Sequence, residues 1–263
     1  MASLSGPIWR AIESFYGSFA PNPPPRIRDP AKPMQVICVG LPRSGTESLQ
    51  KALLTLGYDY TYHTQGWDML NESPHRMNSW VALARRNFFA PTAEPITSTD
   101  FDALLGHAVA VTDAAANCFA AEIIAAYPDA KVILNTRRDI DAWNSSVMSN
   151  IVAANEDMFK WFLCWFNADL WWQWPTHQRI LWPALFRCTD YRSLRSGVEP
   201  FAKTVHEQHK RQFDDWFPEN SYWNGISKMD GDHCADSSRN TCLKHRSRGR
   251  TTKALSRREL RRI

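Results

Sequence analysis

Residues Gly40-Leu41-Pro42-Arg43-Ser44-Gly45-Thr46-Glu47-Ser48 place two glycines five apart around an arginine and are followed by hydroxyl side chains. A loop of this kind between a buried strand and a helix aims successive backbone N–H groups at one point. The helix start adds partial positive charge, so phosphate or sulfate binds well there. The spacing is that of the phosphate loop of nucleotide hydrolases. However, Thr46 stands where that loop carries its lysine, and Glu47 where Ser or Thr would hold magnesium. The cation lies inside the loop instead, as Arg43, whose forked donors can grip oxygens bridging two anionic groups.

A second cluster of chemistry-bearing residues lies in Lys131 to Val147, K-V-I-L-N-T-R-R-D-I-D-A-W-N-S-S-V. Arg138 leaves a strand at its carboxyl edge, and Ser146 falls about two turns into a helix capped by Asp139, so both can converge on one anion. Arg137 and Ser145 have the same spacing. Candidate bases are Asp113 at the end of A-V-A-V-T, His63 after the run Tyr58 to Tyr62, and Glu47 beside the cradle. Their plain structural roles would be a helix cap, a satisfied buried histidine and a first-turn acid.

The elements that must hold these residues read as alternating strands and helices. Met34 to Gly40 is a continuous apolar run, suited to a strand covered on both faces. From Thr46 the period becomes helical, with Leu49, Leu53 and Leu56 on one face and Gly57 as a stop. Ala108 to Thr112 and Lys131 to Asn135 are further strands, with a helix over Asn117 to Tyr127 between them and another from Asp139 through Val147. Short connections in this alternation predict an α/β, P-loop-like parallel sheet flanked by helices.

Residues 21 to 33 are proline-rich and read as extended, which makes 1–33 a lead-in, 34–236 the α/β domain and 237–263 a tail. Seven of the twelve tryptophans fall between Trp143 and Trp182. They suit a helical segment whose aromatics fill a core, with a lipophilic acceptor pocket or an interfacial belt as other uses.

The chain has 263 residues and a formal net charge of +4. Ten basic residues against one acid lie in 237–263, which leaves 21 basic and 26 acidic residues before them. The body is therefore mildly acidic and carries no nucleic-acid footprint; the tail reads as solvated and disordered. His233, Cys234, Cys242 and His245 have no common zinc spacing. Six scattered cysteines, the absence of a long uncharged apolar stretch and an N-terminus unlike a signal peptide point to a reducing, cytoplasmic setting.

The pattern P-R-S-G-T-x-S-L after a buried strand resembles the 5′-phosphosulfate loop of sulfotransferases, which use 3′-phosphoadenosine 5′-phosphosulfate (PAPS). The fuller V-G-L-P-R-S-G-T-E-S-L is most similar to the sulfotransferase-like family abundant in fungi. The segment Lys131 to Val147 resembles the 3′-phosphate segment of the same enzymes. There an acid follows the arginine directly and a tryptophan comes five residues after it, which favours Arg138 with Ser146, beside Asp139 and Trp143.

The resemblance covers roughly residues 34 to 150, and it implies that Arg43, Ser44, Gly45, Thr46, Glu47 and Ser48 hold the 5′-phosphosulfate and Arg138 and Ser146 the 3′-phosphate. It further implies transfer of a sulfuryl group to a hydroxyl of a small molecule such as a secondary metabolite, without a metal. Many members place a histidine where this chain has Asp113, which makes Asp113 the candidate base, with Arg43 in the catalytic set. Its flank is Ala114-Ala115, where fungal relatives carry an aromatic and a proline. Val205 to Gln212 is similar to the family's late helix, and the likeness ends near Asn220. A P-loop kinase or NTPase, and an inactive protein that keeps the cradle, are the alternative readings.

Overall fold

Val36–Cys38 (β1) is buried along its whole length, because a strand inside a parallel sheet is covered on both faces. Ile37 enters the large core on one face, whereas Val36 and Cys38 face Leu49 and Leu53 on the other, as the strand pleat requires. The computed structural model describes residues 7–19, 21–63, 76–88, 94–174, 180–186, 194–216 and 227–230. The other strands are Thr61–His63 (β2), Ala110–Thr112 (β3), Lys131–Thr136 (β4) and Ser227–Asp230 (β5). All pair in parallel in the order β2-β3-β1-β4-β5, so β1 lies at the centre. β5, paired from Ile133↔Ser227 to Thr136↔Asp230, adds a strand beyond the point where the family likeness was expected to end.

Thr46–Thr55 (α2) follows β1 directly. The expected helix over 117–127 is two helices, Ala114–Cys118 (α5) and Ala120–Ala126 (α6). They break at Phe119, whose backbone has φ −116° and whose fully buried ring packs near Trp80, Phe88 and Phe101. The helix after β4 is Ile140–Val147 (α7), and Asp139 caps it by accepting from the N–H groups of Asp141 and Ala142. It continues through a π-type turn at Met148–Val152 into Ala153–Asn155 (α8).

The lead-in contains structure that proline content hid. Pro7–Phe19 is a helix (α1), and Trp9, Ile12 and Tyr16 form its apolar stripe at helical spacing. Tyr16 stacks on Trp171 at 4.4 Å and donates to the Trp165 carbonyl at 2.7 Å. Residues 21–33 form neither helix nor strand, turn at Asp29–Lys32, and are pinned. Arg28 pairs with Asp102 and donates to the Leu105 and Ala108 carbonyls, which ties this segment to Ser98–Leu105 (α4) and its end. Met77–Phe88 (α3) packs on the same side through Trp80, Val81 and Ala84.

The tryptophan-rich segment divides into two populations. Trp143, Trp171, Trp172 and Trp182 are buried. Met158–Cys164 (α9) instead leaves Phe159, Trp161 and Phe162 exposed, with Trp165 and Phe166 just beyond it, and Ala168–Trp174 (α10) carries the stack with Tyr16. Trp182–Phe186 (α11), Leu194–Val198 (α12) and Ala202–Trp216 (α13) complete the described helices and surround Trp143 in a second core. The tail 237–263 and the histidines and cysteines of 233–245 lie outside the described residues.

Tyr16→Ala is expected to lower stability by about 3 kcal/mol, because it removes a buried ring and its hydrogen bond, and Tyr16→Phe by about 1 kcal/mol. Urea denaturation midpoints of the two variants check this order.

Candidate functional site

The loop Val39–Gly45 crosses the middle of the sheet's carboxyl edge, where an open α/β sheet binds its ligands. Its path depends on two backbone features. Gly40 runs so close to β4 that a β-carbon would lie 2.2 Å from both the carbonyl oxygen and Oδ1 of Asn135. Arg43 (φ 69°) and Gly45 (φ 84°) are both left-handed, so the chain wraps over the start of α2. Alternation of this kind gathers backbone N–H groups into an anion-binding concavity.

Four side chains from four elements hold the loop carbonyls. His209 of α13 donates from Nε2 to the Val39 carbonyl at 2.7 Å, and Asn117 of α5 donates to that of Gly40 at 3.1 Å. Trp143 of α7 donates from Nε1 to the Pro42 carbonyl at 2.9 Å, and Asn135 of β4 to that of Ser44 at 3.1 Å. A trans peptide sets its C=O and the next N–H in opposite directions, so these bonds turn the N–H groups of Arg43 and Gly45 away from the pinning side chains. The Ser44 hydroxyl is 1% exposed and has no hydrogen-bond partner, a buried donor that a bound anion would satisfy.

The second cluster meets the loop directly. Arg43 Nε donates to Ser146 Oγ at 3.0 Å across 103 residues of sequence. Ser145 is exposed on the adjacent helix position, while Arg138 is exposed in the bend that leaves β4. The structure thus joins Ser146 to Arg43, and sets Arg138 at the same sheet edge as a solvent-facing cation.

Asp113, Thr46 and His63 gather behind the loop. Thr46 Oγ1 donates to Asp113 Oδ1 at 3.5 Å, and His63 Nε2 lies 3.2 Å from Thr46 Oγ1. Asp113 stands at the N-cap position of α5, but its side chain makes no cap hydrogen bond there and turns to Thr46 instead. Glu47 faces outward and pairs with Lys51 at 2.9 Å. The Lys51 hydrogen bond and charge, aided by His63 and Arg43, hold its carboxyl below the usual range. The Glu47 carboxylate is thus engaged away from the loop. Ser48 is half-buried in the first turn of α2. Burial first, and then the charges of Asp113 and Glu122, push the thiol of half-buried Cys118 up, which disfavours its thiolate.

Sequence reasoning did not find Asn117, Asn135 or His209. Trp143 served only to fix a register, although its ring nitrogen is a structural pin. Their common signal is a hydrogen-bonding side chain at the end of a strand or on a helix facing the sheet edge, which is recognisable only once the sheet order is known. Among the described residues no group of three or more His, Cys, Asp or Glu is arranged to hold a metal ion. No helix among them is long and apolar enough to cross a membrane.

Fold and site together define an α/β domain with a parallel sheet whose central strand leads into a pinned, glycine-bounded loop at the sheet edge. A sulfotransferase domain profile matches residues 35–224, and the chain belongs to that family. It is 30% identical over 184 residues to Ava biosynthesis cluster protein M of Aspergillus versicolor. The match covers 70% of this chain and 65% of that relative's length, so the chain spans less than two thirds of the relative.

Gly40→Ala is expected to lower stability by about 3 kcal/mol, since the β-carbon overlaps Asn135. Gly17→Ala, where the nearest atom is 3.9 Å away, is expected to be neutral or stabilising. Chemical denaturation of both variants, with proteolysis of the loop, checks the contrast.

Proposed function

We propose that this protein transfers a sulfuryl group from PAPS to a hydroxyl of a small molecule, without a metal ion. The observation that carries the reading is the Arg43–Ser146 hydrogen bond, which joins the loop proposed for the 5′-phosphosulfate to the segment proposed for the 3′-phosphate. The unsatisfied Ser44 hydroxyl and the left-handed loop fit an anionic donor. When bound, PAPS supplies an activated sulfuryl group. The chain's own residues orient it and balance its charge, and that is most of what such a transfer needs.

Backbone N–H groups of the loop and the side chains of Arg43, Ser44 and Ser48 would hold the 5′ end, and Arg138 with Ser146 the 3′-phosphate. In this state Ser146 would exchange its bond with Arg43 for a phosphate oxygen, freeing the guanidinium for the bridge between sulfate and phosphate. Asp113 would take the acceptor's proton. The relative's origin in a biosynthesis cluster supports a secondary metabolite as acceptor, and the setting is proposed to be the cytoplasm. A kinase or NTPase reading lacks the loop lysine and the magnesium hydroxyl, both absent from the Gly40 to Ser48 sequence.

Calorimetry with 3′-phosphoadenosine 5′-phosphate, in the absence of metal, is expected to show binding that Arg43→Ala and Arg138→Ala each weaken by about tenfold to a hundredfold. A preference for ATP with magnesium would overturn the reading. Bisphosphate binding without sulfation across a panel of phenols and alcohols would leave a binding protein rather than an enzyme.

A further inference from the structure

Three buried polar side chains stand at the carboxyl edge behind the cradle. The pairing of β2 with β3 sets His63 beside Thr112, the residue before Asp113, so both arrive at the same edge. Thr46 stands between them, 3.2 Å from His63 Nε2 and 3.5 Å from Asp113 Oδ1. A threonine hydroxyl has one proton to donate and lone pairs to accept with, so it can pass a proton in either direction along this line.

Asp113 is held in an unusual state. Its backbone sits at φ 68°, ψ −150°, a region that costs a non-glycine residue free energy and persists only where the surroundings enforce it. One carboxylate oxygen is committed to Thr46, while Oδ2 is buried with no hydrogen-bond partner. With 1% exposure, a proton received by Asp113 has no direct way out to water.

We propose that His63 is the terminal proton acceptor of this site, reached from Asp113 through the Thr46 hydroxyl. The proposal rests on the sulfuryl-transfer reading above. As the acceptor oxygen bonds to sulfur, the sulfur–oxygen bond to the nucleotide's phosphate breaks and its electron pair stays with that phosphate. The acceptor's proton goes to Asp113. Protonation turns Asp113 Oδ1 from acceptor to donor, so the Thr46 hydroxyl that donated to it turns to the bare Nε2 of the Nδ1–H tautomer of neutral His63, and Thr46 gives its proton there as it takes the one from Asp113. The carboxylate and the hydroxyl are restored, and the net product is an imidazolium at His63. Its charge is balanced by Asp113 beyond Thr46 and, more weakly and without contact, by Glu47 on α2. Thr46 then serves the cradle with its backbone N–H, because its hydroxyl belongs to the relay. His63 is a positioning and proton-holding residue that does not touch the donor.

The test needs neither acceptor nor donor. In ligand-free protein labelled with 15N-histidine, Asp113→Asn is expected to shift the His63 imidazole nitrogen resonances at constant pH. The same change made in a Thr46→Val background is expected to shift them no further, whereas a Thr46→Ser background restores the response. Circular dichroism verifies that each variant is folded. A His63 signal indifferent to Asp113→Asn, or one that responds equally in the Thr46→Val background, overturns the relay. Failure of wild-type protein to bind the bisphosphate overturns the transfer reading instead, so the two failures are distinguishable.

Discussion

The site depends on one constraint, which is that four carbonyls of the loop after β1, those of Val39, Gly40, Pro42 and Ser44, are each held by a side chain. His209, Asn117, Trp143 and Asn135 each donate to one of them. Because a trans peptide is planar, holding the carbonyl of Pro42 or Ser44 also sets the direction of the N–H that follows it. The loop is therefore shaped from behind. A loop left to itself would satisfy its carbonyls with water and lose the convergence of its N–H groups.

The same constraint explains why uncomfortable backbone conformations are tolerated. Arg43 and Asp113 both have positive φ without being glycine, each at a cost on the order of 1–3 kcal/mol. They are held by what surrounds them. Arg43 lies between the pinned carbonyls of Pro42 and Ser44. Asp113 lies between fully buried β3 and the buried alanines of α5. The second core, built around Trp143, Trp182 and Phe186, carries α7 and α13 and so the pins they bear. His206, whose ionisation is suppressed chiefly by burial, packs on Trp143 at 4.6 Å as part of that support.

The strand–loop–helix unit, the Asp139 cap and the parallel character of the sheet holding β1, β3 and β4 were legible in the sequence, because each rests on neighbours a few residues apart. Helix α1 was missed, since the prolines that follow it masked a stripe of only Trp9, Ile12 and Tyr16. The break at Phe119 was missed because nothing local forbids a helix there, and only the packing of its ring against Trp80, Phe88 and Phe101 does. The aromatic segment looked uniform as a sequence, whereas burial separated Trp171 and Trp172 from exposed Phe159 and Phe162.

By itself the sequence determined that a glycine-bounded loop with an internal arginine stands at a helix start, and that a second arginine–serine pair lies about ninety residues on, because charge, spacing and period are written locally. Only the tertiary structure decided that Ser146 meets Arg43, that the loop is held by residues 77, 91, 101 and 170 positions away, and that Asp113, Thr46 and His63 share one line of hydrogen bonds. The reason is physical: a single buried polar side chain leaves no periodic trace, and its partner is chosen by strand order and register.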